Sequence, residues 1–271
     1  LLAAVIGYLV SRSVPEAPAT DPTLKLNWNP FTETAANLRL AAKNIVVWRS
    51  MLGISWLWFY GAMLLNQFAN MSKDVLGGNE QVATALLAVF AVGVAVGSLL
   101  CERLSGKKVE IGLVPFGSIG MSLFAIDLYF ATKGLKPAGH SGVGEFIAKP
   151  EHWRVIADLF LLSVSGGLYS VPLYALIQER ADPSHRSRII AANNILNAIF
   201  MVVSALLAIA LIKFAHFNVP ELILTIGVLN AVVATYIYTL TPEFLLRFLC
   251  WMLISFAYRL RVKGLENIPD K

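Results

Sequence analysis

Two sets of amide side chains sit inside long apolar runs. Asn66, Gln67 and Asn70 fall at i, i+1 and i+4, and Asn193, Asn194 and Asn197 repeat that spacing. On a helix each set brings two or three amides to one face. An amide donates to an anionic oxygen and accepts from an ammonium without carrying a charge. Such a face can recognise a zwitterionic group, or it can hold neighbouring helices together by hydrogen bonds. Asp127 and Asp158 are carboxylates in similar surroundings. A carboxylate there can take up a proton or pair with a cationic ligand. For Asp158, Arg154 at i−4 offers a plain ion pair instead. The run around Asp158 continues through Ser165, Gly166, Gly167 and Tyr169 to Pro172. A glycine pair ahead of a proline marks a helix that bends beside a cavity, or one that packs closely through small residues. Arg186 and Arg188, with Arg180 and His185 nearby, can meet phosphate groups or simply anchor the chain at a membrane surface.

No metal site or cofactor is expected. His140, His152 and His216 stand apart from other ligands, and two cysteines, Cys101 and Cys250, make neither a disulfide scaffold nor a thiolate cluster. With 57% apolar and 14% charged residues, the chain departs from soluble domains, which run at roughly 45–50% apolar and about 25% charged. That composition excludes a soluble enzyme, a disordered chain and a nucleic-acid binder. The net charge of +5 is better read as membrane topology.

The elements that must position these residues are membrane helices, each needing about 20 mainly apolar residues. Six candidates run over 48–70, 81–101, 109–132, 153–178, 187–214 and 220–240. Residues 1–10 read as the last turns of a preceding span, and the chain as an internal piece of a larger protein. Residues 11–28 are proline-rich and polar. Asn29 suits a helix N-cap followed by Pro30 at the first helical position. The segment 31–47 is amphipathic and suits a helix lying on the membrane surface. Beyond the sixth span, 243–258 is apolar but short and interrupted by Arg247, as expected of an interfacial helix. The tryptophans, Trp56 and Trp58 among them, suit interface belts or lipid-facing packing.

Lysine and arginine set the orientation. If the loops alternate sides, Lys73, Lys133, Lys136, Lys149, Arg154 and Lys213 fall on one side and every other Lys and Arg on the opposite one. The positive-inside rule makes the second side cytoplasmic, along with the linker and the C-terminal segment.

The loop between the second and third spans carries Gly97, Glu102, Arg103, Gly106, Lys107 and Lys108. It resembles the signature loop of the major facilitator superfamily, a conformational-switch element. Here Glu stands where the family has Asp, and one extra residue flanks the Glu-Arg pair on each side. On that resemblance 1–10 is the end of helix 6, 11–47 the central cytoplasmic linker with its amphipathic helix, and 48–240 the C-terminal six-helix half, helices 7–12. The fold class is an all-α membrane protein.

Residues 169–180 (YSVPLYALIQER) and 183–197 (PSHRSRIIAANNILN) further resemble helices 10–11 of bacterial lysophospholipid transporters. They are most similar to transporters fused to a 2-acylglycerophosphoethanolamine acyltransferase. The tail 261–269 (RVKGLENIP) resembles the opening of such acyltransferase domains, so 241–271 is expected to hold an interfacial helix and the start of a truncated acyltransferase. The His-x4-Asp motif of those enzymes is absent, and this chain is expected not to be an enzyme.

The resemblance implies inward flipping of lysophospholipid by alternating access in a bacterial inner membrane. The implied partners are membrane lipids, an N-terminal transporter half and a downstream acyltransferase domain. Asn66, Gln67, Asn70, Asp127, Asp158, Tyr169, Asn193, Asn194 and Asn197 are then candidates for substrate contact, with Arg186 and Arg188 for the headgroup. Two alternatives stay open: a membrane anchor that feeds an acyltransferase, and an exporter of small amphiphiles.

Overall fold

The computed structural model describes residues 2–15, 28–105, 111–135, 137, 139, 141–240, 246, 249–250 and 252–254. Gly106, Lys107, Lys108 and His140, most of the expected interfacial helix and the whole acyltransferase-like tail lie outside them. The chain divides into two units, residues 1–36 and 37–271. The first contains α1 (Leu2–Ser11), whose Val5, Ile6, Leu9 and Val10 are exposed. It also holds the first turns of α2 (Pro30–Ala42), where Asn29 Oδ1 accepts from Phe31 N–H at 3.0 Å, the expected cap.

The second unit is built from six long helices: α3 (Ile45–Leu65), α5 (Glu80–Leu104), α6 (Leu113–Thr132), α8 (Glu151–Arg180), α9 (Arg186–Phe214) and α10 (Val219–Leu240). Short helices α4 (Phe68–Asn70) and α7 (Val143–Ala148) and a π-helical turn, Met71–Val75, lie between them. Among the described residues no strand occurs, and only Gly78 and Ser141 form an isolated bridge. Among the described residues five helices, α5, α6, α8, α9 and α10, are long and apolar enough to cross a membrane. The first expected span, 48–70, which is α3, is not among them, because Arg49, Ser50, Ser55 and three tryptophans lower its hydropathy. Of those side chains Arg49 and Trp58 are exposed, whereas Ser50 and Ser55 are buried and Trp48 and Trp56 half-buried, where α3 is packed among α8, α9 and α10. It also begins earlier than expected. Asn44 caps it, accepting from Val46 and Val47 N–H at 3.1 and 3.3 Å, so the amphipathic helix stops at Ala42.

Helix α8 is the axis of the unit. In its most apolar stretch 61% of residues are buried by protein, against 22% in α5 and α9. Small residues let the neighbours approach. Gly97 of α5 sits directly against Val164 O, and Gly167 of α8 faces Val94 O, where an added Cβ would lie 2.7 Å away. On the other flank Gly117 of α6 meets the α8 backbone, with a hypothetical Cβ 2.6 Å from both Ser165 O and Tyr169 N. Close backbone approach through small residues is how helices associate where lipid removes the hydrophobic drive. Gly97→Ala is therefore expected to force α5 off α8. Overpacking of that kind costs about 1–3 kcal/mol, read as a melting temperature several degrees lower in detergent. An unchanged melting temperature would mean the crossing is looser than described.

Candidate functional site

Three helices bring polar side chains together at mid-depth. Ser55 and Trp58 come from α3, Asn193 and Asn197 from α9, and Tyr174 from α8. With its Nδ2 turned toward α3, Asn197 donates to Ser55 Oγ at 2.8 Å and to Asn193 O at 3.1 Å. Its Oδ1 then accepts from Trp58 Nε1 and Asn193 Nδ2, each at 3.2 Å. The opposite amide orientation keeps only the Ser55 contact, so hydrogen-bond satisfaction selects the first. Trp58 Nε1 is shared with Tyr174 OH at 3.0 Å. Asn193 and Asn197 are 3% and 6% exposed, whereas Trp58 is 42% exposed and opens the cluster to one side. Asn193 Oδ1 is buried and has no hydrogen-bond partner among the described residues. An unsatisfied buried acceptor costs about 1–3 kcal/mol, so this oxygen is a place for a donor to arrive. Asn197 is about 16 Å along α9 from Arg186 at 1.5 Å per residue, roughly half of a hydrocarbon core about 30 Å thick.

A second cluster lies nearer the opposite end of the unit. Arg154 of α8 grips Asp127 of α6 with both arms of its guanidinium: Nε donates to Oδ2 at 3.1 Å and Nη2 to Oδ1. The pairing expected from spacing, Arg154 with Asp158 one turn away, gives way to this bond between helices. The reason is the antiparallel, glycine-mediated contact of α6 and α8, which brings Asp127 level with Arg154. A two-pronged fork also fits a carboxylate better than an i,i+4 reach does. Asp158 is 5% exposed, interacts electrostatically with both Asp127 and Arg154, and leaves Oδ2 without a hydrogen-bond partner among the described residues. With both carboxylates ionised, the three groups carry one net negative charge.

The remaining candidates are placed differently. The first amide set does not share a helical face, because α3 ends at Leu65. Asn66 is its exposed C-cap, and Gln67 is buried and accepts from the exposed Asn70 Nδ2 at 3.2 Å before the π-helical turn. Asn194 points away from its two neighbours and is exposed. Tyr169 is buried and its OH donates to Gly53 O at 3.0 Å, a packing bond between α8 and α3.

Comparison with known proteins decides the family. The family model of the Major Facilitator Superfamily matches residues 1–204. The chain belongs to that superfamily. It is also similar to the "Lysophospholipid transporter LplT" of Serratia proteamaculans (strain 568), 26% identical over 192 residues. That alignment covers 67% of this chain and 41% of the relative, so the chain spans well under half of the relative's length. No solved structure matches.

In this major facilitator chain, Gly97 is buried at the α5–α8 contact, while Glu102 and Arg103 are exposed at the end of α5. Arg186 and Arg188 are exposed at the start of α9, and Arg188 Nε donates to Asn37 Oδ1 at 2.8 Å. Sequence reasoning missed Ser55, Trp58 and Tyr174. It also missed Asn230 of α10, which is 1% exposed. Asn230 Nδ2 donates to Ser118 O and Ser122 Oγ at 2.9 and 2.8 Å, and its Oδ1 accepts from Trp56 Nε1 at 2.8 Å. The available signal was the indole N–H, which needs a partner wherever tryptophan lies within a bundle. Trp56 and Trp58 each find a polar partner on a neighbouring helix, and Trp58 stays exposed on one side.

Proposed function

We propose that the chain is the C-terminal half of a lysophospholipid transporter. In this reading α1 ends helix 6, 11–47 is the cytoplasmic linker, the six long helices are helices 7–12, and 241–271 leads into an acyltransferase domain. The protein moves 2-acylglycerophosphoethanolamine-like lipid from the outer to the inner leaflet of a bacterial inner membrane, with linker and C-terminus cytoplasmic. An N-terminal half completes the cavity, and the two halves rock in alternating access. The observation that carries the reading is the mid-depth network with its unpartnered Asn193 Oδ1, in helices otherwise suited to an acyl chain. The similarity to the transporter of Serratia proteamaculans supports the cargo class.

An ethanolamine ammonium can donate to Asn193 Oδ1, and a phosphodiester can accept from Tyr174 OH. When both Asp127 and Asp158 are ionised, their cluster with Arg154 attracts the same ammonium near the outer leaflet before it reaches mid-depth. No covalent chemistry is required of these residues. The test is inward movement of fluorescent lysophosphatidylethanolamine by the full-length protein in proteoliposomes, with acyltransferase activity removed by mutation. Saturable flipping is expected. No flipping would favour an anchor that feeds an acyltransferase, and flipping that other amphiphiles compete for but lysolipid does not would favour an exporter.

A further inference from the structure

A cavity of about 670 Å³ lies within the second unit, lined mainly from α3, α6, α8 and α10. It is separate from the mid-depth network, since none of Ser55, Trp58, Tyr174, Asn193 or Asn197 lines it. Its walls are mostly apolar, with Leu52, Val114, Leu173, Leu176 and Val233 among them. It reaches the end of the unit where α3 starts and α8 stops, and Asn44 Nδ2 joins those two helix ends by donating to Arg180 O at 3.2 Å. Two cations stand in the lining there, Arg49 of α3 and Arg180 of α8, and both are exposed. The lining contains no carboxylate among the described residues. Glu179 is nearest to Arg180, at a loose 3.9 Å.

We propose that this cavity is a site for a resident anionic phospholipid of the adjacent leaflet. One acyl chain lies along the apolar walls and the phosphate rests on Arg49 and Arg180. The volume is within the roughly 300–1,000 Å³ of small-ligand sites, and basic pockets between membrane helices suit anionic headgroups. Two cations, with no acid among the described lining residues, select against a zwitterion, whose ammonium they repel. The occupant is therefore distinct from a phosphoethanolamine cargo. Tyr169, whose hydroxyl ties α8 to α3, lines this cavity and helps shape its wall. The site does not depend on the cargo proposed above.

The test uses the full-length protein in detergent with added phosphatidylglycerol, phosphatidylcholine or lysophosphatidylethanolamine. Retained lipid is counted by native mass spectrometry and the melting temperature is followed. One phosphatidylglycerol is expected to be retained at least fivefold over phosphatidylcholine and to raise the melting temperature by several degrees. Arg49→Gln with Arg180→Gln, two exposed positions that leave the fold intact, is expected to abolish the preference. Ala234→Leu, which fills the cavity from α10, is expected to lower retention with both arginines in place. Equal retention of phosphatidylglycerol and phosphatidylcholine, or a preference that survives the double replacement, would overturn the proposal. Preferential retention of the lysolipid would make the cavity a cargo site and overturn it as well. So would retention seen only after removal of 241–271, since the chain's own tail would then be the occupant.

Discussion

Arg154→Gln is expected to lower lysophospholipid flipping by the full-length protein at least tenfold, and to lower its melting temperature. The guanidinium holds Asp127 in a two-pronged bond across α6 and α8 and lies beside the buried Asp158. In water a pair this exposed would contribute little. Within a membrane, carboxylates left without their cation are costly and drive local rearrangement. A tenfold fall corresponds to about 1.4 kcal/mol in the barrier, well within what the loss of such a pair can produce. Adding Asp127→Asn to Arg154→Gln removes one orphaned charge. The double variant is expected to regain melting temperature but not transport, because the cluster's attraction for an ammonium depends on its charge pattern. Proteoliposome flipping and thermal unfolding measured on the same preparations check both halves. Wild-type flipping by Arg154→Gln would remove the cluster from the mechanism.

Asn193→Ala is expected to separate transport from stability. If the amide were only bundle glue, its loss would destabilise the protein by roughly the 0.5–1.5 kcal/mol of a net hydrogen bond. Here the change removes one donor to Asn197 together with a buried acceptor that has no partner among the described residues. These effects oppose each other, so the melting temperature is expected to stay within about 2 °C. A headgroup hydrogen bond lost in a desolvated site is worth more, on the order of 1–3 kcal/mol. Flipping is therefore expected to fall about tenfold or further. Asn197→Ala, by contrast, breaks contacts to Ser55, Trp58 and Asn193 at once and is expected to lower both. Equal loss of stability and transport in the two variants would return Asn193 to a structural role.

Much of the helical frame was legible in the sequence, because apolar runs and their polar breaks report spans directly. Asn29 as a cap and the small-residue character of α8 were legible for the same reason: each is a local property of residue type. Partnerships across helices were not. Spacing along α8 pointed Asp158 toward Arg154, but the depth at which Gly117 lets α6 meet α8 sets Asp127 there instead. The break after Leu65 was hidden because residues 65–68 contain neither glycine nor proline, so the first amide set read as one helical face. Trp56 and Trp58 read as interface-belt or lipid-facing residues because indole rings favour headgroup depth. Asn230 and Tyr174, far away in sequence, supply hydrogen-bond partners that spacing along α3 does not reveal.

The most direct test of the account is to ask where the cargo headgroup rests. Lysophosphatidylethanolamine carrying a photoreactive group on its amine would be bound to the full-length protein, illuminated, and the labelled peptides mapped by mass spectrometry. The account predicts labelling on α3 around Ser55 and Trp58 and on α9 around Asn193 and Asn197, competed away by unlabelled lysolipid. Competed labelling confined to the Arg49 and Arg180 cavity, or absent from both α3 and α9, would contradict it.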